Sequence, residues 1–459
     1  MFPRSADGRR SSAELGRAVV ADALRAVDPT AADAAAREPD WRRGYLRHFR
    51  ALIEVGLRSD QAAYEIAAAG LASVRDRMRT ADDRSLAEAL EDDGARPPET
   101  FAVQGTGTAE RELTLPFHGE LLRGDALKRR LDDWVGRGTI EESCAQVVRE
   151  VAANPDWLDL SDQRIVVLGA GAEMGPLPAV LGWGGTVIGV DLPRPQLWAR
   201  VHAVAEKSAG RLIGARADLL TELPAVAQWL LSHEGRLVLG DYVYAPGAAY
   251  ARLSAAVDAL TAHVGRKRPD TAIAKLATPT DVFAVPAAAV AMSTTRYHER
   301  SRRARLTKTV TGGRLLRPNY PDGADPGVAD SLVRQQGPNY ALAKRIQRWR
   351  ATAGRRDSVV SFSVAPPTRT RSVMSNRLLA AAYAGAHLFD VEVFEPATAN
   401  KLMAVLLVHQ LRRPRPAGTS AWADEAHAAA HGGLWRTPYQ PRTALGLAAV
   451  RGLPAALRR

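Results

Sequence analysis

Residues 164–191, RIVVLGAGAEMGPLPAVLGWGGTVIGVD, constrain the fold more than any other stretch of the chain. Arg164 to Leu168 is a short apolar, β-branched run that reads as a buried strand. Gly169, Gly171 and Gly175 follow, then a helical stretch through Leu181, then a second strand from Thr186 to Val190 closed by Asp191. Glycines in such a turn let the backbone approach a diphosphate, whose charge then rests on a helix N-terminus. Asp191 falls 22 residues after Gly169, where a carboxylate can accept hydrogen bonds from a ribose diol. The spacing is G-x-G-x-x-x-G: Met174 stands where a tighter loop has its third glycine, with Glu173 beside it. Gly169, Gly171, Glu173, Met174, Gly175 and Asp191 are therefore candidate nucleotide-binding residues. The plainer alternative is a strand-to-helix turn that holds no ligand.

The remaining chain fits around this unit. Residues 1–95 carry helical periodicity, with Leu46, Phe49, Leu52 and Ile53 on one stripe and Leu15, Val20, Leu24 and Val27 on another. Three or four helices are expected there, in a packing or dimerising role, ending at the break DDGARPPET. Residues 101–163 form a connecting segment with helices at 124–136 and 140–153. His118, beside Phe117, is more simply structural than catalytic. After Asp191, helical stretches alternate with strands at 211–217, 236–240 and 271–278, which gives a parallel sheet covered on both faces. Ligands of such sheets bind beyond the C-terminal strand ends, where the glycines, Asp191, Asp218 and Gly247 fall. Residues 279–337 break the rhythm and read as a lid or substrate loop. A helix over 339–353 and a strand from Ser358 to Val364 resume it, and residues 375–459 form a helical C-terminal extension.

Tyr340 and Lys344 lie at i and i+4 of that late helix, so phenol and ammonium share a face. A neighbouring ammonium is expected to lower the phenol's pKa and make it a usable acid–base near neutrality. From 164 to 374 the chain resembles the short-chain dehydrogenase/reductase family of NAD(P)-dependent oxidoreductases. LGAGAEMG stands at that family's glycine loop, Asp191 at its ribose acid, and Asp218 at the acidic residue near the adenine. VYAPG, ending at Gly247, looks like a variant of its N-N-A-G turn, with Tyr244 and Pro246 departing from it. YALAK matches its Y-x-x-x-K pair, and VAPPTRT, containing Pro366, its Pro-rich turn beside the nicotinamide. The resemblance implies a doubly wound α/β fold of Rossmann type, between an N-terminal helical region and C-terminal helices. It implies that Tyr340 exchanges the proton at the substrate oxygen while Lys344 holds the ribose hydroxyls. The family's serine would be replaced by Thr278 or Thr280, with residues 279–337 looping out; Ser331 is a poorer substitute. Asp191 favours NAD by repelling a 2′-phosphate, while Arg194 stands ready to accommodate one, so NADP stays open. An S-adenosylmethionine-dependent methyltransferase shares the glycine loop and acidic tip but has no use for Tyr340 and Lys344; a nucleotide-binding scaffold without catalysis is the third reading.

Composition narrows the partners. The net charge is +12, and only 7 of the 62 basic residues are lysine. The densest run, His298 to Lys308, lacks the context of a nucleic-acid module. It reads as a solvated basic face or one that attracts an anionic substrate, so a small molecule is the expected partner, without nucleic acid or membrane. A homodimer is plausible. Cys144, the one cysteine, lies in a helical pattern and excludes an internal disulfide, which fits a reducing compartment. The N-terminal residues lack an apolar signal-like run, no uncharged stretch is long enough to span a bilayer, and a cytoplasmic location is expected. His427 and His431, with Asp424, have the spacing of metal ligands on a helix, but an exposed helix face is the plainer reading, and no metal is assigned.

Overall fold

The computed structural model describes residues 1–3, 8, 10–92, 94–416 and 420–457. The N-terminal region forms α1 (Ser12–Arg25), α2 (Pro29–Ala36), α3 (Trp41–Gly56), α4 (Asp60–Arg77) and the short α5 (Leu86–Leu90). Each begins at a Ser or Asp whose side-chain oxygen accepts the N–H three residues on: Ser11, Asp28, Asp40, Ser59 and Ser85. Such caps satisfy amides that have no partner inside the helix and contribute about 1 kcal/mol each.

The segment that follows holds one strand the sequence pattern did not reveal, β1 (Glu99–Gln104), and a small hairpin, β2 (Leu115–Phe117) and β3 (Glu120–Leu122). Helices α6 (Gly124–Gly136) and α7 (Glu142–Ala153) lead to the alternating part. This comprises β4 (Gln163–Leu168), α8 (Leu177–Gly182), β5 (Thr186–Asp191), α9 (Pro195–Lys207), β6 (Arg211–Arg216), α10 (Leu223–Leu231), β7 (Arg236–Asp241), α11 (Ala248–Lys267) and β8 (Ala272–Ala277). The insertion is folded, with β9 (Val282–Val285), α12 (Ala287–His298), α13 (Arg302–Val310) and β10 (Gly327–Asp330). Then come α14 (Pro338–Gly354), β11 (Val360–Val364), α15 (Arg371–Met374), α16 (Arg377–Gly385), α17 (Pro396–Arg412), α18 (Ala421–Ala426) and α19 (Pro441–Leu457).

Seven strands form one sheet in the order β1-β6-β5-β4-β7-β8-β11, parallel throughout except for β1. Counted from β4, the parallel strands run 3-2-1-4-5-6, a doubly wound order with its switch point between β4 and β7. Period-two alternation sends Val166 and Leu168 to one face and Ile165 and Val167 to the other. The first face shares a continuous core with α10, α11, α14 and the N-terminal α1, α3 and α4. The second packs on α7, α8, α9 and α17. The antiparallel edge strand β1 seats Phe101 opposite Gly214, and its ring meets Trp198 edge-on and stacks on His202.

Buried charge ties the insertion and the C-terminal segment to this frame. Asp281, just after β8, accepts from Arg345 at 3.0 Å and Arg348 at 2.7 Å, and Arg348 also reaches Glu425 at 2.6 Å. Glu141, at the start of α7, pairs with Arg436 at 2.7 Å and His431 at 2.9 Å. The latter corrects the reading of HAAAH as one helical turn. α18 ends at Ala426, His427 caps it in extended conformation, and Ala428 turns left-handed with φ 57°. His431 is fully buried against Trp435 rather than on an exposed face. Among the described residues no cluster of three or more His, Cys, Asp or Glu is arranged to hold a metal ion. Cys144 is buried, and burial raises its thiol pKa. No described helix is long and apolar enough to cross a membrane.

Burial alone would raise the Glu141 pKa, but the bonds from His431 and Arg436 outweigh it and hold the carboxyl at about 2, against 4.5 when free. A depressed carboxylate contributes stability that is complete above its unfolded pKa and is lost as pH falls through the folded one. Acid denaturation followed by tryptophan fluorescence should therefore lose about 3 kcal/mol between pH 4.5 and 2. Glu141→Gln should lack that component; an unchanged acid slope in the variant would refute the assignment.

Candidate functional site

The loop after β4 turns at Gly169, whose φ is 91° and where a Cβ would lie 2.9 Å from the Tyr242 carbonyl oxygen. A Cβ on Gly171 would meet the Leu197 side chain at 2.7 Å, whereas Gly175 has ordinary space. Two of the three glycines are thus demanded by geometry. Among the described residues the Glu173 and Met174 N–H groups have no protein acceptor, and both residues are half-buried. Two free amides beside a tight glycine turn are what a diphosphate needs. Met174 turns its side chain onto the apolar core, and the Glu173 carboxylate binds the Arg371 N–H at 2.8 Å and its guanidinium at 2.9 Å. That pair links the glycine loop to the turn after β11. Asn400 of α17 donates to the Glu173 and Gly175 carbonyls and holds the loop from behind.

Asp191 ends β5 half-buried, accepting the Gly171 N–H and the Leu192 N–H, each at 2.8 Å. Burial pushes its pKa up against those two bonds, and Arg194, exposed three residues on, pulls it down. Each carboxylate oxygen keeps a lone pair for a further donor. Asp218 caps its own turn, taking the Leu220 N–H at 2.9 Å. Gly247, with φ 59°, starts α11 at the exposed end of VYAPG, and Pro366 is buried just past β11. His118 lies exposed in the tight β2–β3 turn, stacked on Phe117.

Across the switch point the sequence-predicted polar groups converge. Tyr340, in the first turn of α14, lies near enough to Thr278, just past β8, and to Lys344 for both to act on its phenol electrostatically. The Thr278 and Thr280 hydroxyls are 2.8 Å apart, and Gln336 donates to Thr280 Oγ1 at 2.7 Å. Residues 62 apart in sequence are brought together because the insertion leaves from β8 and returns to α14. Its two ends are joined by the Ser331 N–H on the Asp281 carbonyl at 3.1 Å. Ser331 itself does not take part in the Tyr340 cluster.

The expected lowering of the Tyr340 pKa is not what results. Burial is the larger effect and raises it, while Lys344 and Thr278 lower it by less. The Lys344 ammonium is spent on other acceptors: the Leu276 carbonyl at 3.3 Å and Gln347 Oε1 at 3.0 Å. It also lies 5.9 Å from the Tyr250 ring, which packs on Tyr340 at 5.6 Å.

Behind Lys344 lies a polar chain that sequence reasoning missed. Gln347 Nε2 donates to Asp241 Oδ1 at 3.3 Å, and Lys275 Nζ donates to Asp241 Oδ2 at 2.8 Å. Asp241 ends β7 and Lys275 faces it on β8, both almost fully buried. One signal was present: a lysine inside AIAKLA must find a buried carboxylate or lose its charge. A groove of about 560 Å³, lined in part by the glycine loop at Gly171, Ala172 and Glu173, runs between Val201, Leu121 and Lys401; its lining does not include Tyr340, Thr278 or Lys344.

No protein-family model and no curated protein matches the chain. Several solved structures are similar to it. A short-chain dehydrogenase/reductase of Serratia marcescens is 12% identical, with TM-score 0.35, over 60% of this chain and 99% of its own. A Beutenbergia cavernae protein assigned as an NAD(P)-dependent gluconate 5-dehydrogenase, solved with NADP at low occupancy, is 15% identical with TM-score 0.34, over 60% and 98%. A short-chain dehydrogenase/reductase family oxidoreductase of Burkholderia thailandensis is 14% identical with TM-score 0.31, over 60% and 92%.

The raised Tyr340 pKa has a direct consequence. In the ligand-free protein, an ultraviolet titration difference between wild type and Tyr340→Phe should show no phenolate step below pH 10.0. A step near neutrality would mean that Lys344, not burial, controls the phenol.

Proposed function

We propose that this chain is an NAD(P)-dependent oxidoreductase that works as a carbonyl reductase, with Tyr340 as its proton donor. The observation that carries the reading is the placement of Tyr340 beside Thr278, across the insertion at the C-terminal strand ends and with Lys344 one helical turn on. A bound reduced nicotinamide would supply the hydride. The chain's own residues do the rest. The Thr278 hydroxyl and the Tyr340 phenol both reach for the substrate oxygen, the first to orient it and the second to protonate it as negative charge develops. Lys344 is placed to hold a ribose hydroxyl while Gln347 fixes its direction. Asp191 would accept the hydroxyls of the other ribose, and the free Glu173 and Met174 amides would bind the diphosphate. The 3-2-1-4-5-6 strand order supports a dinucleotide at this edge. NAD is favoured over NADP by the Asp191 carboxylate; the substrate is a carbonyl compound whose oxygen Thr278 and Tyr340 can both reach.

Fluorescence titration of the purified chain with NADH and NADPH tests the cofactor. Saturable binding is expected, tighter for NADH, and Asp191→Ala should narrow the difference. Binding of S-adenosylmethionine with silence from both nicotinamides would overturn the reading in favour of a methyltransferase. With a carbonyl panel in hand, Tyr340→Phe should lower turnover by at least about a hundredfold while leaving NADH affinity within about twofold. Gln347→Leu should instead weaken NADH binding several-fold, and should add nothing in a Lys344→Ala background, since the two act as a unit.

A further inference from the structure

Helix α13, within the insertion, is amphipathic in the wrong sense for a helix that only covers a core. None of its residues is buried. Ala304, Thr307 and Lys308 are half-buried toward the protein, where Ala304 meets the small cluster of Tyr297, Leu316 and Tyr439. Lys308 is turned inward too, donating to the Tyr297 hydroxyl at 2.6 Å. The outward face is Arg302, Arg303, Leu306, Thr309 and Val310, all exposed. Leu306 is 63% exposed, and Val310, at 77%, is the most exposed large apolar side chain among the described residues. They are four apart and therefore side by side.

The surroundings are strongly cationic. Residues 296–317 contain eight Arg and Lys and a single carboxylate, Glu299. Among the described residues, none of Arg302, Arg303, Arg305, Arg314 and Arg317 forms an ion pair with a carboxylate. A patch that repels its own kind does not suit a second copy of this chain. Nucleic acid would use the cations but has no use for two aliphatic side chains held outward at their centre. A surface that is both anionic and apolar just below its charges uses all of them.

We infer that α13 docks the protein reversibly on an anionic lipid bilayer, with Leu306 and Val310 entering the headgroup layer and the flanking arginines on lipid phosphates. Two aliphatic side chains and a set of cations make a peripheral contact, not an anchor. The inference goes beyond the absence of a membrane span and is independent of the chemistry proposed at Tyr340.

Co-sedimentation of the full chain with vesicles tests it, comparing pure phosphatidylcholine with phosphatidylcholine containing about 30 mol% phosphatidylglycerol. Binding to the anionic vesicles is expected, at least about tenfold weaker on the neutral ones and lost in about 0.5 M salt. Leu306→Ser with Val310→Ser, and separately Arg302→Glu with Arg303→Glu, should each weaken binding at least about tenfold. Both variants alter only outward side chains, so unchanged thermal unfolding checks that they fold. Protein that stays in the supernatant with anionic vesicles overturns the inference, as does binding that neither variant changes. Loss confined to the arginine variant, with duplex DNA captured as well as vesicles, also overturns it and assigns the face to nucleic acid.

Discussion

Helix α14 is held by buried charge on two sides, and the candidate site depends on that. Toward the sheet, Lys344 and Gln347 join the Asp241–Lys275 pair that spans the ends of β7 and β8. Toward the insertion, Arg345 and Arg348 of the same helix clasp Asp281. Burying such groups is unfavourable unless each finds its counter-charge, and removing one partner of a buried pair typically destabilises by about 3–5 kcal/mol. The helix therefore has little freedom to slide or rotate. Tyr340, in its first turn, inherits a fixed position relative to Thr278. A site assembled from a helix and a strand end needs this kind of register lock, because hydrophobic contacts alone are non-directional.

The same charges explain how a long insertion leaves the site intact. Asp281 directly follows Thr280 and lies three residues after Thr278, so the clasp on α14 fixes the departure point. The Ser331 amide returns to the Asp281 carbonyl, and the Tyr45 hydroxyl of α3 donates to the Val333 carbonyl at 3.1 Å. The insertion is closed at its root and braced by the N-terminal helices. Its outer part, including α13, is free to serve a different surface without moving Thr278 or Tyr340.

What the sequence disclosed followed from range. The glycine turn, the acidic tip of β5 and the alternation of strand and helix are local patterns, with periods of two or 3.6 residues that a short window shows. Tyr340 and Lys344 were legible because one helical turn separates them. β1 was not: ETFAVQ becomes a strand only because β6 offers Gly214 under the Phe101 ring. His431 was misplaced because a left-handed Ala428 breaks the helix that HAAAH suggests, and its partner Glu141 lies 290 residues away. The Asp241–Lys275–Gln347 chain spans three separate elements, and only the lysine in an apolar strand hinted at it.

The direction of the Tyr340 shift bears on the chemistry. A phenol whose pKa is lowered toward neutrality serves equally as acid and base; one whose pKa is raised is an acid at every physiological pH. Here the ammonium that would lower it is divided among the Leu276 carbonyl, Gln347 and the Tyr250 face, and each acceptor already stabilises part of its charge. What remains at Tyr340 does not offset its burial against Tyr250. A site built this way keeps the phenol in its protonated form, the form from which a developing alkoxide would take its proton. The polar chain behind Lys344 thus does more than hold a side chain still: by competing for its charge, it leaves less of that charge to draw the proton off Tyr340.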